Sequence, residues 1–261
     1  MEKIAKHIES WLQEYCIKSG LNGFVVGVSG GIDSAVTSTL CAKTGLKVIA
    51  LNMPIYQSES QIDLSVSHIR WLESKFSNVK GIMVDLTPAF QKIEASLPNE
   101  IQDGLTMANS RSRLRMIALY AFASHHKLLV AGTGNKVEDF GVGFYTKYGD
   151  GGVDISPIAD LFKTEVFALG KYLGVSQDII NAQPTDGLWE DNRTDESQIG
   201  ATYPELEWAM RYDRCANKDY DDLSAREKEV LSIYRKFNIM NRHKMVTIPV
   251  CKIPENLTAN C

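Results

Sequence analysis

The stretch "VVGVSGGIDSAV", Val25–Val36, runs from a β-branched apolar segment into two adjacent glycines set between serines, then an aspartate. An apolar run bounded in this way reads as a buried strand, and "SAVTSTLCAKTG" after it reads as a helix ended by Gly45. In a turn between strand and helix, glycines let backbone N–H groups face a concave nest, and the helix dipole adds to their attraction for an anion. Phosphate is the expected guest. Neither G-x-x-x-x-G-K-[ST] nor G-x-G-x-x-G is present, so this is a different kind of phosphate loop. Asp33 would repel a bare phosphate but could hold a Mg²⁺ that bridges to one, so a nucleotide with metal fits better. A plain strand-to-helix turn, with Asp33 favouring the dipole, is the alternative these residues leave open.

Outward from this stretch the chain alternates. Ile4, Ile8, Trp11, Leu12 and Tyr15 recur at helical spacing before Gly20 and Gly23 break the pattern. After Gly45 come a strand in "KVIALNM", a helix in "SESQIDLSVSHIRWLESKF" with Ser58 and Gln61 as a candidate capping box, and a strand in "KGIMVDL". Helices in "TPAFQKIEASL" and "ANSRSRLRMIALYAFASHH" precede a fourth strand, "KLLVAGT". This order predicts an α/β fold with a doubly wound, mainly parallel sheet and helices on both faces. The glycine-rich segment 134–156 is too long for a mere connector, and loops after strand ends are where such folds keep their chemistry. Helices resume in "LFKTEVFALGKYLG" and "SAREKEVLSIYRKFNIMNRHKM"; between them "PTDGLWEDNRTDESQ" is polar and reads as mobile. No repeat or linker divides the 261 residues, so a single domain over 1–261 is expected.

Composition narrows the class. Apolar residues are 44% and charged residues 23% of the chain, ordinary for a globular protein. Twenty-eight basic against 32 acidic residues give a net charge of -4, which disfavours nucleic acid as a partner. Cys16, Cys41, Cys215, Cys251 and Cys261 are odd in number and never in C-x-x-C, so they read as reduced thiols. The amphipathic N-terminus is unlike a signal peptide, and no apolar run reaches the roughly 18 residues of a membrane span, so a cytoplasmic protein is expected.

The residues then reach a resemblance. "SGGIDS" is similar to the SGGxDS loop of the ATP pyrophosphatases, which adenylate a substrate and release pyrophosphate. "FYTKYGDGGVDISPI", Phe144–Ile158, resembles the TKYGDGG segment of NAD synthetases and is the most specific signal in the chain. "AGTGNKVE", "ANSRSRLRM", "PTDGL" and "NRHKM" resemble further motifs of that family, in the same order from residue 25 to 245. The chain is identified as a member of the ammonia-dependent NAD synthetases. The resemblance implies a Rossmann-like, adenine nucleotide α-hydrolase-like fold and a homodimer. It implies that the carboxylate of deamido-NAD attacks the α-phosphate of ATP, and that ammonia then converts the acyl-adenylate to NAD and AMP. The substrates would be ATP, deamido-NAD and ammonia, with Mg²⁺. Another adenylating amidase or ligase, such as a GMP synthetase-like enzyme, is the alternative.

Carried over residue by residue, the resemblance gives ATP to Gly27, Val28, Ser29, Gly30, Gly31, Ile32, Asp33 and Ser34, with Thr133, Lys163 and Thr185. Asp33 and Glu138 would take the metal, with Asp139 as the competing second ligand. Deamido-NAD would meet Asn109, Arg113, Lys147, Asp154, His243 and Lys244, while Asp150 would orient ammonia or accept its proton. Arg111 and Arg115 read instead as a solvated helix face, and His125 and His126 as partners of a helix C-terminal dipole. Asn52 stands where many relatives place an arginine, and "NKVEDFGVGF" is one residue longer than the commoner form. The 22 residues ahead of the first strand are too few for the amidohydrolase domain of glutamine-dependent relatives, so free ammonia is the expected donor. Residues 186–199, following Thr185, are expected to close over the site when substrates bind.

Overall fold

The computed structural model describes residues 1–184, 194–215, 220–254 and 257. Three apolar segments pair as parallel strands, β1 (Gly23–Gly27), β2 (Lys47–Asn52) and β3 (Val79–Met83), and a short β4 (Leu129–Val130) joins the other side of β1. The order is β3-β2-β1-β4, so the chain winds outward from β1 and then crosses back. Between β1 and β4 the winding reverses, which opens a crevice at their carboxyl ends. The "SGGIDS" turn follows β1 and "GTGNKVE" follows β4, so the topology brings these two segments to one place.

Alternation along the strands loads both faces. Phe24, Val26, Val48 and Ala50 belong to one buried cluster, with α1 (Glu2–Lys18), α2 (Ile32–Lys43) and residues of α3 (Glu59–Lys75). Val25, Ile49 and Leu51 belong to the opposite cluster, with α4 (Thr87–Ser96) and α5 (Gly104–His126). Period 2 in the strand therefore produces two cores, one on each side. The helices α6 (Lys163–Leu173) and α7 (Gln177–Asn181) extend the first. A third cluster gathers α9 (Tyr203–Arg214) and α10 (Ala225–Met245) around Phe162, Val137 and Val142.

Two local expectations change, and two others fall wholly or partly outside the described residues. Ser58 does take the N-cap of α3, but the side chain of Gln61 lies outside the described residues. The end of the polar stretch is folded: Thr194 caps α8 (Asp195–Ile199) by accepting from Ser197 N, and Asp195 and Ile199 are buried. Residues 185–193, which include Thr185 and most of the expected closing segment, lie outside the described residues. The fourth strand is only two residues long, because the chain after Val130 leaves β1 to form the crevice.

A buried histidine marks the packing of α3 on α2. His68 is 3% exposed, stacks on Trp71 and meets Ser38 Oγ through Nε2 at 3.1 Å. Burial holds its pKa at about 4 against an ordinary 6.5. Because the folded protein keeps this ring neutral, the unfolded chain binds the extra proton below about pH 6.5, and stability falls as pH drops from there towards 4. Urea unfolding at pH 7.5 and pH 5 is expected to show about 2 kcal/mol more acid destabilisation in the wild type than in His68→Gln. Equal losses in both proteins would exclude His68 as the source.

Candidate active site

The SGGIDS turn is already shaped before any ligand arrives. Gly30 adopts φ 90°, a left-handed conformation that glycine takes without strain, and this lets the chain double back into α2. Ser29 N donates to Ser34 Oγ at 3.2 Å, Gly31 N donates to Ser29 Oγ at 3.2 Å, and Ser34 Oγ donates to Gly31 O at 2.9 Å. The two serines thus brace the glycines, and the amino end of the 12-residue α2 faces the crevice. The crevice is a cavity of about 610 Å³, and residues 27–34, Thr133 and Lys163 all line it.

One ammonium organises its floor. Lys163 Nζ lies 2.6 Å from Asp33 Oδ2 and 2.9 Å from Glu138 Oε1, and its side chain is 3% exposed. Burial alone would lower the proton affinity of Lys163, but the two carboxylates outweigh it and hold the ammonium charged well above its ordinary range. One positive charge against two negative ones leaves a net negative site built from hard oxygen donors, which suits a divalent cation such as Mg²⁺. Asn135, fully buried, fixes the frame: Nδ2 donates to Asp33 Oδ1 at 3.0 Å, while Oδ1 accepts from Val137 N and Glu138 N. Tyr203 Oη donates to Glu138 Oε1 at 2.6 Å. Asp139 is outside this group; its carboxylate packs against Gly134, where a Cβ would sit 2.1 Å from Oδ2. Burial first, then the neighbouring carboxylates, push the Asp139 carboxyl well above the ordinary range.

The longer "NKVEDFGVGF" segment has a structural counterpart. Glu138–Val142 form a π-helical turn, which accommodates one residue more than an α-helical turn and is frequent at functional sites. Beyond it the TKYGDGG loop folds onto α5. Asp150 Oδ1 accepts from Ser112 Oγ at 2.7 Å and from Thr146 N at 2.9 Å, and Thr146 Oγ1 donates to Asn109 Oδ1 at 2.6 Å. Gly149 permits this approach, since a Cβ there would meet Ser112 Oγ at 2.3 Å. Lys244 Nζ donates to the carbonyls of Gly143 and Tyr145, both at 2.9 Å, and ties the end of α10 to the loop.

Of the residues expected to meet the second substrate, Asn109 and Lys244 line the cavity together with Asp150. Arg113, Lys147, Asp154 and His243 do not contribute to its wall. Arg113 is exposed, with Nε donating to Lys147 O at 3.4 Å, and Lys147 Nζ donates to His243 O at 2.7 Å. The Asp154 carboxylate accepts from Tyr120 Oη at 2.9 Å and from Val130 N at 2.8 Å, a structural engagement.

The reading of Arg115 as part of a solvated face is corrected. Arg115 lines the cavity, with Nε donating to Met53 O at 3.0 Å and Nη2 to Gln57 Oε1 at 2.9 Å, and burial lowers its pKa to about 10. His125 and His126 stand in the last turn of α5, and Lys47 Nζ lies 3.3 Å from His126 Nδ1. Asn52 donates from Nδ2 to Ser65 Oγ at 2.6 Å, and Ser65 donates on to Val28 O at 2.7 Å, so it buttresses the strand end. Asn135, Arg115, Asp195 and Tyr203 were not found by sequence reasoning. Asn135, three residues before Glu138 in "AGTGNKVE", and Arg115, in "ANSRSRLRM", both stood inside quoted motifs.

Known proteins are similar to this chain in sequence and fold. An ammonia-dependent NAD⁺ synthetase of Carboxydothermus hydrogenoformans is 38% identical over 79% of this chain and 84% of that protein. One from Alkaliphilus metalliredigens is 36% identical over 95% of this chain and 97% of its own length. The solved structure of an NMN synthetase from Francisella tularensis superposes with a TM-score of 0.83 at 32% identity, covering 97% of this chain and 98% of that one. With the sequence pattern of the NAD synthase family matching residues 4–247, across the whole cavity and its supports, the chain belongs to the NAD synthase family.

Proposed function

We propose that the protein catalyses the ATP-dependent amidation of deamido-NAD by ammonia, giving NAD, AMP and pyrophosphate. The observation that carries this is the convergence on one cavity of the phosphate turn, the Asp33–Lys163–Glu138 cluster and the TKYGDGG loop, in a chain of this family. The amides and hydroxyls of residues 29–34 would hold the pyrophosphate part of ATP, with Thr133 and Thr185 as further contacts. Mg²⁺ held by Asp33 and Glu138 would offset the charge that builds on the departing pyrophosphate. Lys163, paired with Asp33 and Glu138 in this structure, would turn to the phosphate oxygens. Asn109, Lys244 and Arg115 line the same cavity and would meet deamido-NAD, while Asp150 would receive ammonium and take its proton. Aligning two substrates and shielding their charge suffices for such chemistry, and no covalent nucleophile is required. This reading is supported over a GMP synthetase-like amidase by the relatives, which are named NAD⁺ synthetases.

A homodimer and a cytoplasmic location belong to the same proposal. On α5, Leu105 and Ile117 are 62% and 59% exposed and Arg113 is exposed, and a second copy of the chain would cover this apolar surface. Among the described residues, Cys16, Cys41, Cys215 and Cys251 are free, and no helix is long and apolar enough to cross a membrane.

One observation favours a second reading of the substrate. The relative that superposes at 0.83 is an NMN synthetase, and in this chain the cavity wall holds only Asn109 and Lys244 of the six residues expected to bind a dinucleotide. Nicotinate mononucleotide, amidated to NMN, would then be the acceptor.

Incubation with ATP, Mg²⁺, ammonium and deamido-NAD is expected to yield NAD, AMP and pyrophosphate in equal amounts; ADP and phosphate would refute an adenylate route. With nicotinate mononucleotide in equimolar competition, the larger kcat/KM identifies the substrate, and deamido-NAD is expected to win. Asp33→Asn and Glu138→Gln should each lower kcat about 10²-fold or more, whereas a crippled Asp139→Asn beside a mild Glu138→Gln would reverse the ligand assignment. Arg115→Ala should lower kcat/KM by at least about 10-fold, because it removes two hydrogen bonds from the cavity wall. Unchanged kinetics would make Arg115 a bystander.

A further inference from the structure

Tyr203 opens α9, far in sequence from the phosphate turn, yet its ring is 3% exposed and lies under the charged floor of the cavity. Lys163 Nζ sits 4.8 Å above the ring centroid. The hydroxyl carries a single hydrogen and faces two carboxylates, Glu138 Oε1 at 2.6 Å and Asp195 Oδ2 at 3.1 Å. A phenol can donate to only one of them at a time, and the shorter contact shows that Glu138 receives the hydrogen. Glu138 Oε1 then accepts from two donors, Lys163 and Tyr203. These donors differ in mobility. Lys163 ends a flexible four-carbon stem and can follow a phosphate, whereas the phenol is locked in the apolar cluster of Leu206, Met210 and Leu231.

We propose that Tyr203 is the positioning residue of the cation site: its hydroxyl keeps the Glu138 carboxylate aimed beside Asp33 when Lys163 turns to the nucleotide. The inference rests on the reading that Glu138 binds the divalent cation. Without the hydroxyl, Glu138 keeps only the mobile Lys163 as a charged partner, and the ion pair competes directly with the metal. With it, one oxygen is anchored by a neutral donor that repels no cation. Asp195 Oδ2 lies 3.1 Å from the hydroxyl on its other side. Asp195 N also donates to Pro184 O at 3.1 Å, so the same residue joins the cavity edge at Pro184 to the cation site.

The test uses the full chain loaded with α,β-methylene-ATP, which is not cleaved at the α–β bridge, with Mn²⁺ as the probe and free Mn²⁺ counted by electron paramagnetic resonance. Tyr203→Phe is expected to weaken Mn²⁺ binding about 10-fold or more, as loss of a partner that orients a metal ligand does elsewhere. Its kcat should fall while KM for deamido-NAD stays unchanged. In the Glu138→Gln background the same change should add nothing, because Tyr203 acts through Glu138. Asp195→Asn leaves the hydroxyl hydrogen to Glu138 and should bind Mn²⁺ within about threefold of wild type. Wild-type Mn²⁺ affinity in Tyr203→Phe would overturn the proposal. So would an additive loss in the double variant, or a loss in Asp195→Asn equal to that of Tyr203→Phe. If Glu138→Gln itself binds Mn²⁺ normally, the cation reading falls and takes this proposal with it. A weak Glu138→Gln beside a normal Tyr203→Phe removes the role of Tyr203 alone.

Discussion

Everything in the cavity is arranged around one buried ammonium. Lys163 is the first residue of α6, and Glu165 secures that start by accepting from Phe162 N at 2.8 Å. Two carboxylates from different crossovers lean on this one cation, Asp33 from the turn after β1 and Glu138 from the loop after β4. Left without it, Asp33 and Glu138 would be like charges in a poorly solvated place, and breaking a buried ion pair of this kind is costly. Such a cluster is weak evidence of stability, since an apolar trio of the same volume would pack as well.

The cluster also dictates how distant segments must meet. Asn135 bonds Asp33 with its amide nitrogen and the backbone of the π-helical turn with its oxygen, so the two carboxylates cannot shift independently. The third apolar cluster, built from α9 and α10, holds the other side of the same turn; Asn238 and Asn241 donate to the carbonyls of Gly141 and Val142. The α/β core therefore supplies the phosphate turn, and the carboxy-terminal helices hold the loop that carries Glu138 against it.

Much of this was legible because the signals are local. Strand-to-helix alternation around "VVGVSGGIDSAV" predicted the parallel sheet, and the long glycine-rich segment 134–156 was read as more than a connector; within it Ser112 leaves no room for a Cβ at Gly149. The failures are equally physical. Arg113 and Arg115 both belong to one helix, and spacing alone cannot say which side a neighbour will cover; the carbonyl of Met53, from the chain after β2, drew Arg115 inward. Asp195 read as one more acid in a polar run because its burial depends on Tyr203, eight residues later and on another helix. The extra residue in "NKVEDFGVGF" was visible as a misalignment, but only the π-helical turn shows where it is absorbed.

The segment that follows the TKYGDGG loop also finishes the sheet. Beyond Val130 the outer side of β4 would be a bare edge, and unpaired N–H and C=O groups on an edge invite pairing with another chain. Here Val130 N donates to the Asp154 carboxylate, Val130 O accepts from Asp154 N at 3.0 Å, and Gly132 N donates to Ile155 O at 2.8 Å. A side chain and two residues of loop thus stand in for a fifth strand. Cavity wall and sheet margin share this stretch: a lesion that unravels the loop after "KYGDGG" would open the cavity and bare the outer side of β4 to pairing with another chain.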